Sequence, residues 1–262
     1  MKRIHLFEFM DQPWYPQGFR RIQTDYLQYV TTRGAGHQNL IPLFEKALQQ
    51  SGTMEIVDLC SGGTGPWVRL REQLVKAGLH VKVTLTDKYP SPEAIQKWTK
   101  TSQDGIEYLP QAVDAMSVST NLKGMRTMFE GFHHFKPTQA RRILQDACEK
   151  GVAIGIFEAS LQPPQGPVIF LFSPLMTLLG YLFATPFIQP HTWSRFLWTY
   201  LLPIVPLVTC WDGLVSFLRV YSQNELKELI EPFEREGYKW EVGQASTGTP
   251  LFVFTYLLGY PV

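Results

Sequence analysis

Met54-Glu-Ile-Val-Asp-Leu-Cys-Ser-Gly-Gly-Thr-Gly-Pro-Trp67 carries an apolar strand into a glycine-rich turn and straight on into a helix. That order builds a nucleotide-sized pocket, because the first amides of a helix have no internal partner and point back at the strand end. Pro66 suits the start of such a helix, expected over residues 66–77, since a missing N–H costs nothing there. Gly62, Gly63 and Gly65 let a ligand approach the backbone closely. Asp58 closes the first strand, and a second strand over residues 81–87 closes on Asp87, 22 residues after Gly65. This spacing suits a carboxylate that grips ribose hydroxyls.

The same elements describe nicotinamide and flavin domains, so the glycine pattern has to separate them. G-x-G-x-x-G is not met: from Gly63 the third glycine would fall on Val68, and from Gly62 the second would fall on Thr64. What the segment resembles is motif I of the class I S-adenosylmethionine (SAM)-dependent methyltransferases, D-x-G-x-G-x-G. Asp58 and Gly62 match, Cys60 stands at the first glycine, and Thr64 stands at the last with Gly63 and Gly65 on either side. The loop is therefore expected to run slightly differently at its end. A tight turn that holds no ligand is the plain alternative.

Further resemblances follow in the family's order. Tyr108-Leu-Pro-Gln-Ala-Val-Asp114-Ala115-Met116 resembles the third motif, and the run from Met125 through His133-His134-Phe135 reads as a fourth strand reaching the pocket, followed by a helix over 137–150. The apolar run from Gly151 to Glu158 reads as a buried fifth parallel strand. Ser222, with Glu225 three residues on, forms a capping box for a late helix, and residues 238–245 and 251–259 read as a terminal hairpin.

The resemblance implies an α/β fold, with a Rossmann-like, mostly parallel seven-stranded sheet, helices on both faces and an apolar helical insertion after the fifth strand. Residues 1–35 would form a cap segment, 36–160 with 218–262 the core, and 161–217 the insertion. It implies SAM as cofactor, with Asp58, Cys60, Ser61, Gly62, Gly63 and Gly65 at its methionine part, Asp87 at the ribose, and Asp114 with Ala115 at the adenine. The chemistry would be one in-line methyl displacement, in which the protein aligns the reactants and excludes water. A hydroxyl acceptor must also lose a proton, and His133 or His134 is the nearest base because histidine titrates near neutral pH. Packed spacers between Phe132 and Phe135 are the other reading of the two histidines. Glu130 and Glu158, at strand ends, are candidates for orienting the substrate or binding the cofactor's amino group.

Composition narrows the partners. Lys and Arg number 24 against 23 Asp and Glu, with no long basic run, so nucleic acid is not an expected partner. Cys60, Cys148 and Cys210 are scattered, without a C-x-x-C pair for zinc or an even set for disulfides, so no metal site is expected and a reducing cytoplasm fits. Glu8 and Asp11 interrupt the first residues, which therefore lack the apolar core of a signal peptide.

Residues 159–211 depart from an ordinary surface insertion: Arg195 is their one formally charged side chain. Two apolar blocks, 167–188 and 196–218, each have the length to cross a bilayer, but the first holds Pro174 and Pro186 and the second Pro203, Pro206 and Asp212. The strands on either side belong to one sheet, so the chain must return to the side it left. A membrane-contacting lid on the cytoplasmic face, a lid over an apolar pocket in a soluble enzyme, and a spanning hairpin all satisfy this, and a homodimer would hide the same surface. Asp212, Ser216 and Arg219 share a helical face; Asp212 and Arg219 either contact substrate or form a buried salt link that holds the lid down.

The expected function is SAM-dependent methyl transfer to an apolar small-molecule or lipid-like acceptor. The competing class is a noncatalytic protein of the same fold whose insertion serves as a membrane anchor or partner surface.

Overall fold

The computed structural model describes residues 3–33, 36–90, 92–100, 105–161 and 166–262. Strands β1 (Glu55–Asp58), β2 (Lys82–Leu85), β3 (Ile106–Tyr108), β4 (Met125–Phe129) and β5 (Ile154–Leu161) run parallel, and β6 (Tyr238–Ser246) and β7 (Phe252–Pro261) add an antiparallel hairpin beside β5. The order β3-β2-β1-β4-β5-β7-β6 gives the seven-stranded, mostly parallel Rossmann-like sheet expected from the sequence. The chain winds outward from β1 to β3 and then crosses back to β4 on the other side of β1. The two crossovers leave opposite faces at that point, which opens a crevice at the carboxyl ends of β1 and β4.

Alternation along the strands sends neighbouring residues into two different cores. Ile56, Val83, Leu85 and Phe157 pack with Leu40, Phe44, Leu48, Trp67, Leu70 and Leu74, which belong to α2 (Ile41–Ser51), α3 (Trp67–Lys76) and the turn before α2. Val57, Met128, Ile154 and Ile156 pack on the other face with Ile143 and Leu144 of α5 (Pro137–Glu149) and Leu226, Leu229 and Ile230 of α9 (Gln223–Ile230). Helices thus cover both faces, as the near-continuous apolar strands require.

Boundaries shift by a few residues for local reasons. Pro66 is the cap of α3 and not its first turn. The fifth strand begins at Ile154 because Gly151, at φ 61°, reverses the chain out of α5, with Gly151 N–H donating to Cys148 O and Val152 N–H to Ala147 O. It runs past Glu158 to Leu161 because β7 pairs along its whole length. The Ser222–Glu225 capping box forms as expected, Ser222 N–H donating to Glu225 Oε2 at 2.9 Å and Glu225 N–H to Ser222 Oγ at 3.3 Å.

The insertion is helical. It comprises α6 (Gly166–Ala184), a short α7 (Trp193–Phe196) that continues as a π-helical turn over Leu197–Leu201, and α8 (Ile204–Arg219), which is bent 73° from the helix before it. Pro174 leaves α6 unbroken because the Ser173 hydroxyl donates to Phe170 O at 2.9 Å, the carbonyl that Pro174 has no N–H to serve. α6 packs along α8, and α1 (Gln17–Arg33) lies against both. A third small core of Ile22, Tyr26, Tyr181, Ile188 and Val205 joins them. Arg195 turns inward from α7, pairs with Asp25 of α1 and donates to Ile188 O at 2.6 Å and Pro190 O at 2.7 Å.

Candidate functional site

Positive φ angles mark the turn after β1: Cys60 at 58°, Gly62 at 53° and Gly65 at 58°. The last of these falls on 65 and not on 64, which is the departure that Thr64 foreshadows. Thr64 is buried; its hydroxyl accepts from Trp98 Nε1 at 3.3 Å and donates to Gly63 O. A side chain on Gly62 or Gly65 would meet nothing within 4 Å, so the loop has open space beside its backbone where a ligand fits. Gly63 has no such room, since a Cβ there would stand 3.2 Å from Gln28 Oε1 of α1. Gln28 also donates to Gly65 O at 2.8 Å, so α1 walls the loop.

Cys60 pays for its left-handed backbone in steric strain, which a β-branched residue would greatly increase. Replacing Cys60 by Val is expected to lower stability by about 1–3 kcal/mol, while Cys60→Gly should be tolerated, as read by urea denaturation of each variant.

Asp58 lies behind the loop. Ser61 Oγ and Thr127 Oγ1 each donate to one of its carboxylate oxygens at 2.6 Å, and burial pushes its carboxyl up to about 6 against those two hydrogen bonds. Its place is that of an anchor holding the turn to β4. Asp87 faces the loop from the end of β2: Oδ2 accepts from Gly62 N–H at 3.0 Å and Oδ1 from Tyr89 N–H at 2.8 Å, with burial raising its carboxyl. Asp114 pairs with Lys88 at 2.9 Å, and although burial pulls its carboxyl upward, the Lys88 hydrogen bond and charge hold it low. Ala115 is buried beside it. Ser61, Gly62, Asp87 and Asp114 are thereby gathered along the carboxyl edge of β1 and β2.

Glu130 and Glu158 stand at the ends of β4 and β5. Glu130 adopts φ 50° and accepts from Ala159 N–H at 2.7 Å. Its side chain reaches solvent, and desolvation with the Glu158 charge pushes its carboxyl up. Glu158 is buried; Oε1 accepts from Phe132 N–H at 2.6 Å and His133 N–H at 3.3 Å, while Oε2 lies 2.5 Å from His133 Nδ1. Burial drives His133 down to about 3, so its ring is neutral. His134, partly exposed, sits 2.9 Å from Asp11 Oδ1 through its Nδ1.

Asp212 and Arg219 do not form a salt link with each other. Both, with Ser216, grip the segment before α1. Asp212 accepts from Phe9 N–H at 2.7 Å, Met10 N–H at 3.2 Å and Gln23 Nε2 at 2.9 Å. Ser216 Oγ donates to Glu8 Oε1 at 3.2 Å. Arg219 Nη1 pairs with Glu8 at 3.0 Å and Asp11 at 2.6 Å, and Nε donates to Leu6 O at 2.7 Å. The shared helical face expected of the three residues is real, but acids brought in from the other end of the chain take the place of the internal partner. Glu8 is buried to 2 % exposure, and its desolvation drives the carboxyl up to about 7 despite His134 and Arg219. Neither Glu8, Asp11 nor Gln28 stands in a motif, and no local signal in the sequence marks them as site residues.

No family model matches the chain, and no curated protein matches its sequence. Among solved structures, human N-acetylserotonin methyltransferase in complex with SAM aligns at TM-score 0.49 with 13% identity, over 93% of this chain and 55% of that one. A SAM dependent methyltransferase from Aquifex aeolicus aligns at 0.46 with 14% identity, over 87% and 92%. The mitomycin 7-O-methyltransferase aligns at 0.47 with 12% identity, over 97% and 70%. The chain spans little more than half the length of the first of these. These are likenesses of overall fold, and no residue role is transferred through them.

Proposed function

We propose that this chain transfers a methyl group from SAM to an apolar small-molecule or lipid-like acceptor on the cytoplasmic face of a membrane. The observation that carries the reading is the turn after β1, where left-handed backbone at 60, 62 and 65 leaves open space facing Asp87 at the end of β2. The loop amides would receive the methionine part, Asp87 the ribose hydroxyls, and Asp114 with Ala115 the adenine, while Asp58, Ser61 and Thr127 hold the turn in shape.

The sulfonium methyl would lie toward the ends of β4 and β5, where Glu130 is exposed and Glu158 holds the Phe132–His134 turn from beneath. The acceptor atom attacks it in line, the carbon–sulfur bond breaks, and a neutral thioether leaves. A hydroxyl acceptor gives its proton to a base; the partly exposed His134 suits that role better than His133, which is buried, neutral and tied to Glu158. Alignment in a dry pocket supplies the rest of the rate. Calorimetry with SAM, with NADH as control, tests the donor: micromolar binding of SAM alone is expected. Absence of binding would move the reading to a noncatalytic protein of this fold.

The acceptor class rests on the surface of the insertion. Leu171, Phe172, Leu175, Phe183, Phe187 and Trp193 are exposed, Trp193 to 91 %. Among the described residues, Gly166–Phe187 is apolar and long enough to cross a bilayer, with a mean hydropathy of 1.9. Its other face is taken by α8 and by α1, which carries Arg20, Arg21 and Asp25, so shallow contact through one face costs far less than burial of the whole bundle. Replacing Leu171 and Phe183 together by Asp is expected to weaken cosedimentation with phosphatidylcholine and phosphatidylglycerol vesicles at least tenfold. Stability should stay within about 0.5 kcal/mol per site, because exposed positions carry little of it.

A further inference from the structure

Glu8, His133 and His134 come from segments 125 positions apart and meet where α8 covers the end of β4. Their ligand atoms all lie within 4.8 Å of one another. We propose that these three side chains form a binding site for a divalent first-row transition metal, with Asp11 at its edge.

The first argument is the tautomer of His133. Two backbone N–H groups, of Phe132 and His133, donate to Glu158 Oε1 and support its negative charge against the burial that raises the carboxyl. The 2.5 Å contact with Glu158 Oε2 then takes the proton on Nδ1 and leaves Nε2 with a bare electron pair. That pair faces Glu8 Oε1 at 3.9 Å. The two atoms are too far apart for a hydrogen bond with each other; Arg219 Nη1 at 3.0 Å and Ser216 Oγ at 3.2 Å already serve Glu8 Oε1, so what a metal would gain here is the lone pair on His133 Nε2.

The second argument is geometry. Donors about 2.1 Å from a tetrahedral metal stand about 3.4 Å apart. Glu8 Oε1 lies 3.9 Å from His133 Nε2, Glu8 Oε2 lies 3.5 Å from His134 Nδ1, and one ligand atom from each residue lies within 4.8 Å of the others, so the set is loose and a metal would draw it in. Glu158 behind His133 supplies the carboxylate that commonly orients a ligating imidazole from its far nitrogen. The third argument is charge. Glu8, Asp11 and Glu158 converge on the two rings, and among the described residues Arg219 is the one Lys or Arg paired with these carboxylates. The Arg3 guanidinium, though near, spends itself on the carbonyls of His133, Phe135 and Arg219 and on His5.

Two imidazoles and a carboxylate select zinc, iron(II) or cobalt(II) over magnesium or calcium. Binding would displace the proton that His134 Nδ1 shares with Asp11, freeing Asp11 as a fourth ligand; with Nδ1 on the metal and the proton on Nε2, His134 no longer serves as a base, so the metal-bound and proton-accepting states are alternatives. The metal would also clasp the segment before α1 to the sheet edge.

Chelator-treated full-length protein, without SAM, is titrated with zinc by calorimetry and with cobalt by visible absorption. One equivalent is expected, with an intense low-symmetry cobalt band. Glu8→Gln and His134→Ala should each raise the dissociation constant at least tenfold, and Glu158→Gln by about 10- to 100-fold through His133. Circular dichroism confirms that each variant is folded, and metal should slow tryptic cleavage at Arg3 in the parent only. No stoichiometric binding, or binding that the three variants leave unchanged, overturns the site. SAM affinity is measured separately, so loss of the metal reading leaves the donor reading standing, and the reverse.

Discussion

Asp87→Ala is expected to weaken SAM binding by about 10- to 100-fold, the worth of losing charge-assisted hydrogen bonds of about 1.5–3 kcal/mol. The carboxylate does two things at once: it holds Gly62 N–H and so the left-handed turn of the loop, and it keeps lone pairs directed at the crevice for a vicinal diol. Asp87→Asn separates them, because an amide oxygen retains an acceptor for Gly62 while the charge is lost. The order of affinities should be parent, then Asn, then Ala, with thermal stability nearly unchanged since the side chain is only half-buried. Equal affinity in all three proteins, measured by calorimetry, would remove Asp87 from the donor site.

Arg219→Met should have the largest effect on stability. Its guanidinium is 2 % exposed and compensates Glu8, also 2 % exposed, together with Asp11. Removing one partner of a buried pair leaves an uncompensated charge and costs about 3–5 kcal/mol. Urea denaturation should report that loss, and limited trypsin digestion should cut at Arg3, Arg20 or Arg21 well before the sheet core yields. Adding Glu8→Gln to Arg219→Met should recover more than half of the loss, since it takes away the stranded carboxylate. A double variant as unstable as the sum of the two singles would mean that packing of the Arg219 stem, and not the charge, holds the segment.

The sheet was readable from residues because its signals are local. An apolar run ending in Asp58, glycines at 62, 63 and 65, an acid at 87 and a capping box at 222–225 each declare an element within a dozen positions. Even the altered end of the glycine loop was visible in Thr64, though not that the left-handed turn moves to Gly65. The mouth of the pocket was not readable in this way. Asp212, Ser216 and Arg219 could be placed on one helical face, but a helical face names no partner, and the nearest complementary charge in sequence suggested a link between Asp212 and Arg219. Their partners, Glu8, Asp11 and the amides of Phe9 and Met10, lie about two hundred positions away in a stretch whose composition says only that it is mixed. Arg195 shows the same limit: the sequence marks it as the one charge in an apolar stretch but does not name Asp25 of α1 as its partner.

The grip of α8 on the segment before α1 also has a kinetic meaning. Glu8 and Asp11 receive their guanidinium partner only when Arg219 exists, 208 positions after Asp11. At about 5–20 residues per second of synthesis, that is a wait of tens of seconds, through which β1 to β5 and the apolar α6 all emerge ahead of α8. During it the carboxylates stay hydrated and the apolar face of α6 has no α8 to lie on. A chaperone or a lipid surface that engages α6 in that interval would therefore act before the pocket has a mouth, and Arg219 marks the moment when the nascent chain can shut it.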